Sequence, residues 1–131
     1  MNKITPLLFV TLLLIPPMVA SADLQESLQN GKKIYHDYCS VCHGDKGDGQ
    51  SFVRNVIKIP PLDFTDKKLV DQFSVERMRW AILLGKPGTA MPSWRFDLTA
   101  LQISDVITYI QKELMGLELE EPVSPEAAIY K

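Results

Sequence analysis

Cysteine and histidine are scarce in this chain, two of each in 131 residues. Two cysteines are too few for the multi-bridge framework that staples small exported domains. They also make only half of a cysteine-rich zinc site, with no second pair to complete it. An excess of charge of one sign is missing too: 14 Lys and Arg stand against 16 Asp and Glu, a formal net charge of -2. A chain so balanced lacks the surplus cations that grip nucleic acid. No apolar run reaches the roughly 20 residues a membrane-crossing helix needs. What remains is ordinary globular composition, 46% hydrophobic and 23% charged. That excludes wholesale disorder and supplies one domain's worth of chain.

The N-terminus reads as an export signal. Lys3 gives the positive start, residues 6–15 (PLLFVTLLLI) form a short apolar run, Pro16 and Pro17 end it, and Ala20-Ser21-Ala22 offers small residues for cleavage before Asp23. The expectation is a signal peptide over 1–22 and a periplasmic mature chain. An uncleaved tether is the alternative, and the one expected route to a membrane.

Three of the four Cys and His residues lie within five positions, in Cys39-Ser40-Val41-Cys42-His43. C-x-x-C-H is the attachment motif of c-type haem. Two thiols add across the two vinyl groups of one porphyrin, so they must stand a short fixed distance apart. The adjacent imidazole is then held beneath the iron as an axial ligand. The rival readings fit less well. A structural disulfide gives His43 no role. A thioredoxin-like pair follows a strand, whereas Leu24, Leu28, Tyr35 and Tyr38 precede this one at helical spacing.

The run from Gly31 through Tyr35 to Cys39, Cys42, His43 and Gly44 resembles the start of a class I c-type cytochrome, over roughly residues 24–116. That resemblance implies an all-α fold of three to four helices wrapped around one covalent haem, with Gly31 where the C-terminal helix crosses closely. A second axial ligand is expected downstream. Met91 is the candidate: it lies in a turn-rich loop followed by Pro92, free of any helix face. Gly88-Thr89-Ala90-Met91-Pro92 is also similar to the family's methionine segment. Met78 shares a helical face with Val75 and Ile82 and reads as core. Met115 reads as packing, and His36 as too close to Cys39 to reach the other haem face. The resemblance further implies a proline carbonyl that accepts the His43 Nδ1–H, with Pro61 the first choice and Pro60 the second. Asp45 and Asp48 suggest a calcium loop, but the bidentate Glu is missing.

Helices are expected over about 24–42, then over about 75–84 with Ser74 as N-cap and Gly85 beyond its end. A third follows the capping box Thr99/Gln102, through Ile103, Val106, Ile107, Ile110 and Leu114 to Gly116. A short one is expected over 66–72. No run alternates as a strand. Tyr35, Trp80, Leu83, Ile107 and Tyr109 are expected near the haem or at the helix crossing. Residues 23–116 make the domain, and the acidic stretch 117–131 reads as an extended, solvated tail.

With His43 and Met91 both on iron, the chemistry left is one-electron exchange. The expected function is a periplasmic electron carrier, not an enzyme, a monomer meeting donor and acceptor redox proteins in transient complexes. The alternatives are a haem c subunit of a larger oxidoreductase, a haem sensor or enzyme with a displaceable sixth ligand, and a thiol oxidoreductase. Lys32, Lys33, Lys46, Lys58 and Lys86 could ring the haem edge, although a merely solvated surface explains each of them as well.

Overall fold

A computed structural model describes residues 19–70 and 72–125. Most of the expected signal segment lies outside them. Within them the chain is helical and strandless, as expected: α1 (Val19–Ile34), α2 (Ser40–His43), α3 (Lys67–Val70), α4 (Val75–Leu84) and α5 (Ala100–Tyr109). A π-helical turn, Tyr35–Cys39, joins α1 to α2, and a second, Ile110–Leu114, extends α5.

The framework is the crossing of α1 and α5. Among the described side chains of the first helix and its extension, Ser27, Gly31, Ile34 and Tyr35 are the buried positions. Their spacing draws one narrow stripe down the helix. Gly31 sits where the backbones meet. A Cβ there would lie 2.1 Å from the Asp105 carbonyl oxygen and 2.8 Å from the Tyr109 Cβ, so only glycine permits the approach. Tyr35 and Tyr109 continue the contact at 5.5 Å between ring centroids.

Local signals set the other helices. Ser74 Oγ accepts from Arg77 N at the start of α4, and Thr99 with Gln102 forms a complete capping box on α5. Such caps satisfy amide groups that have no partner inside the helix. The short α3 occupies only the middle of the expected 66–72 stretch. Its Lys67 Nζ donates to the Met115 carbonyl at 2.6 Å, placing a cation at the C-terminal end of the α5 extension.

Residues 103–111 are all buried. An amphipathic helix would leave one face in water, and the difference has a visible cause. The stretch 117–125, expected to be solvated, folds back over α5. Val123 N donates to Thr108 Oγ1 at 2.9 Å. Arg79 on α4, 2% exposed, donates to Ser104 Oγ at 3.0 Å and to the Ser124 carbonyl at 2.7 Å. A buried guanidinium needs oxygen acceptors, and the returning backbone supplies one. The acidic stretch is thus extended but docked as far as residue 125.

Met78, Ile107, Tyr109 and Met115 are buried as expected, and Leu83 packs against the core. Trp80, on α4, is 46% exposed.

Candidate functional site

Cys39, Cys42 and His43 lie on consecutive turns at the end of the first helical rod. Ser40 N donates to the Tyr35 carbonyl, five residues back, which is the π-type bond that inserts one extra residue before the motif. From there α2 is regular, so Cys39 and Cys42, three apart, share a face. Both thiols are free. Burial, with Cys42 adding to it, pushes the Cys39 thiol up to about 12.

His43 is held from several sides. Its carbonyl accepts from Gly49 N at 2.9 Å. Its ring stacks on Phe64, centroids 4.8 Å apart and planes 19° apart. Nδ1 lies 3.2 Å from the Leu62 carbonyl oxygen. The acceptor is therefore Leu62, one residue beyond the expected Pro61. The reason lies in the loop: the Phe64 amide is tied to the Gly47 carbonyl at 2.7 Å, and this fixes which carbonyl of the Pro-Pro-Leu run faces the imidazole. With Nδ1–H donating there, the lone pair sits on Nε2. Burial lowers the pKa of His43, and the bond to Leu62 works against that. The neutral form a metal requires is thereby favoured.

Gly44 ends α2 with φ 80° and ψ 153°. These angles are open to glycine and strained for any other residue. The turn lets the chain double back beneath His43. Asp48 Oδ1 accepts from Gln50 N within it. Among the described residues no group of three or more Asp, Glu, His or Cys side chains is placed to hold a metal ion.

Met91 lies on a separate support. The loop after α4 closes on itself: Lys86 N donates to the Met91 carbonyl at 3.1 Å, and Met91 N to Thr89 Oγ1 at 3.2 Å. Beyond it, Ser93 Oγ donates to the Leu83 carbonyl at 2.6 Å and Trp94 N to the Ile82 carbonyl at 2.9 Å. The loop therefore lies back along α4, and Met91 is partly buried against the core. Tyr38, beside Cys39, meets Trp94, three residues past Met91, at 5.4 Å between centroids. That contact draws the methionine loop to the cysteine motif.

The donor set is two free thiols on one helical face, an imidazole with its lone pair on Nε2, and a thioether on a loop brought alongside. It fits a covalently attached porphyrin. Residues 26–110 match the family described as cytochrome C oxidase, cbb3-type, subunit III. The chain belongs to that family and is a small c-type cytochrome. Two solved structures are similar in fold. One is a chain of the Kuenenia stuttgartiensis reducing HAO-like protein complex Kustc0457/Kustc0458, with 23% identity, a TM-score of 0.57, 73% of this chain and 47% of that chain covered. This chain thus spans about half the length of that relative. The other is the KustC0563 c-type cytochrome, with 24% identity, a TM-score of 0.52, 66% of this chain and 94% of that chain covered. The cytochrome family implies covalent haem c and electron transfer. Among the described residues no helix is long and apolar enough to cross a membrane.

The sequence did not reveal four features of this site: the Phe64 stack, the Leu62 acceptor, the Tyr38–Trp94 contact and the π turn. The aromatic in Pro61-Leu62-Asp63-Phe64 was the one signal that pointed to the first of them.

Proposed function

We propose that this cytochrome is a periplasmic one-electron carrier, not an enzyme, with a single haem c joined through Cys39 and Cys42 and ligated by His43 and Met91. The setting of His43 supports the reading most directly: half-buried, stacked on Phe64, with Nδ1 on the Leu62 carbonyl and Nε2 left for iron. When bound, the haem supplies exchange between the ferrous and ferric states. His43 supplies a ligand of fixed orientation, and the Leu62 carbonyl raises its basicity. Met91 supplies a neutral thioether, which favours the ferrous state relative to a second imidazole and raises the potential. Phe64, by its stack, and Leu62, by its carbonyl, hold the imidazole in place. Two protein ligands leave iron no open position, so neither substrate nor gas is expected to bind.

The test is electrochemistry and carbon monoxide together, on protein matured with haem-attachment machinery. A reversible one-electron wave is expected. The ferrous protein should resist carbon monoxide, and Met91→Ala should bind it. Ready binding by the unaltered protein contradicts the His/Met reading and favours a sensor or enzyme. Export is checked by the N-terminus of the mature protein, expected at Asp23.

A second reading, a haem c subunit of a larger oxidoreductase, is favoured by the oxidase-subunit description of the family and by the complex that contains one structural relative. Gentle fractionation of the native source separates the two. A lone small species supports the carrier, and stable comigration with a larger redox assembly supports the subunit.

A further inference from the structure

We infer that the Tyr35 hydroxyl is a positioning group for His43, acting through the carbonyl of Gly44. The inference rests on His43 being the iron ligand. Tyr35 is fully buried, at 0% exposure, and its hydroxyl donates to the Gly44 carbonyl oxygen at 2.7 Å. Gly44 directly follows the ligand and carries the sharp turn out of α2.

Each polar backbone group next to this turn is tied down. The His43 carbonyl accepts from Gly49 N, and Gly44 N donates to the Ser40 carbonyl at 2.8 Å. The Gly44 carbonyl lies beyond the reach of the helix ladder and accepts twice, from Gly47 N at 3.1 Å and, more closely, from the Tyr35 hydroxyl. Without the hydroxyl only the longer bond inside the glycine turn remains, so the peptide after His43 loses its tie to the helix crossing and is free to tilt, and the ligand's backbone moves with it.

The residue type argues the same way. Phenylalanine fills the Tyr35 volume equally well, and a buried phenol is unfavourable unless its hydroxyl is used. Here it has one use. Tyr35 is also where the two halves of the fold meet. Its ring packs on Tyr109 across the α1–α5 crossing, and its carbonyl starts the π turn that sets the register of the cysteines. The crossing, the phenol, the Gly44 carbonyl and the imidazole therefore form one continuous chain of contacts.

The experiment compares Tyr35→Phe with the unaltered haem-loaded protein. The readouts are ferric EPR, the hyperfine-shifted resonances of the His43 ring, and the midpoint potential. Tyr35→Phe should keep its helicity and covalent haem, yet shift the EPR g values, the His43 ring resonances and the potential. Tyr109→Phe, which keeps the ring contact, should leave all three in place. Identical signals from Tyr35→Phe and the unaltered protein overturn the inference. So do equal shifts in both variants, which would mark general loosening. Should Tyr35→Phe yield too little holoprotein, 3-fluorotyrosine placed at position 35 alone strengthens the phenol as a donor at nearly constant shape. It must then shift the same ferric signals, and unchanged signals overturn the inference. Failure of the unaltered protein to take up haem would instead sink the functional reading, so the two failures are distinguishable.

Discussion

His43 and Met91 are carried by regions of contrasting construction. The His43 stretch is braced by residues far away in sequence: Leu62 and Phe64 from the loop, and Tyr109 through Tyr35 from the last helix. Apart from the Tyr38–Trp94 contact, the Met91 stretch is braced by near neighbours, through Lys86, Thr89 and the end of α4. The first should form only when the whole fold forms. The second is a local turn laid on one helix. A buried, long-range bracing keeps one ligand fixed, and a local loop can change without unmaking the domain.

Four substitutions sharpen this contrast. The largest effect is expected at the crossing that underlies the His43 side. Gly31→Val places carbon atoms inside the Asp105 backbone, and should cost more than about 3 kcal/mol. Circular dichroism should show lost helicity and no cooperative melt. Next comes the side that carries Met91. Arg79→Ala removes the bonds to Ser104 and Ser124, for a loss of about 2 kcal/mol. Limited proteolysis should then cut within 117–125 while the covalent haem stays in place. Thr99→Ala deletes half of a capping box and should cost about 1 kcal/mol in chemical denaturation.

The smallest effect concerns pH. Burial raises the Asp105 carboxyl above its ordinary 3.8, Glu26 adds to this, and hydrogen bonds from Ser27 and Asn30 oppose it. A raised carboxyl contributes its full stability below the ordinary value and loses it as pH climbs through the raised one. Asp105→Asn retains an acceptor for Ser27 and cannot ionise. Melting curves across a pH series should therefore show a flatter dependence above pH 3.8. An unchanged slope would show that Asp105 does not titrate against the fold.

The same contrast explains what the sequence made legible. The start of α5 was readable because a capping box is complete within four residues, Thr99 to Gln102. The end of α4 was readable because Gly85 stops it locally. The cysteine motif was readable because its chemistry dictates its spacing. Leu62 was not, because the carbonyl that faces His43 depends on how Phe64 is tied to Gly47 across the loop. The docking of 117–125 was hidden for a similar reason: its partners, Thr108 and Arg79, are remote in sequence, and three glutamates in that stretch suggest water. The π turn leaves no compositional trace, since one added residue does not disturb the apolar spacing enough to be seen.

The most direct measurement is the intact mass of protein matured with haem-attachment machinery, read with its pyridine haemochrome spectrum. One haem added to the polypeptide mass, stable to denaturation, with the spectrum of a doubly thioether-linked haem, is the expected result. A mass equal to the bare polypeptide, or a haem that washes out on unfolding, would contradict covalent attachment at Cys39 and Cys42, and with it the electron-transfer reading built on that bond.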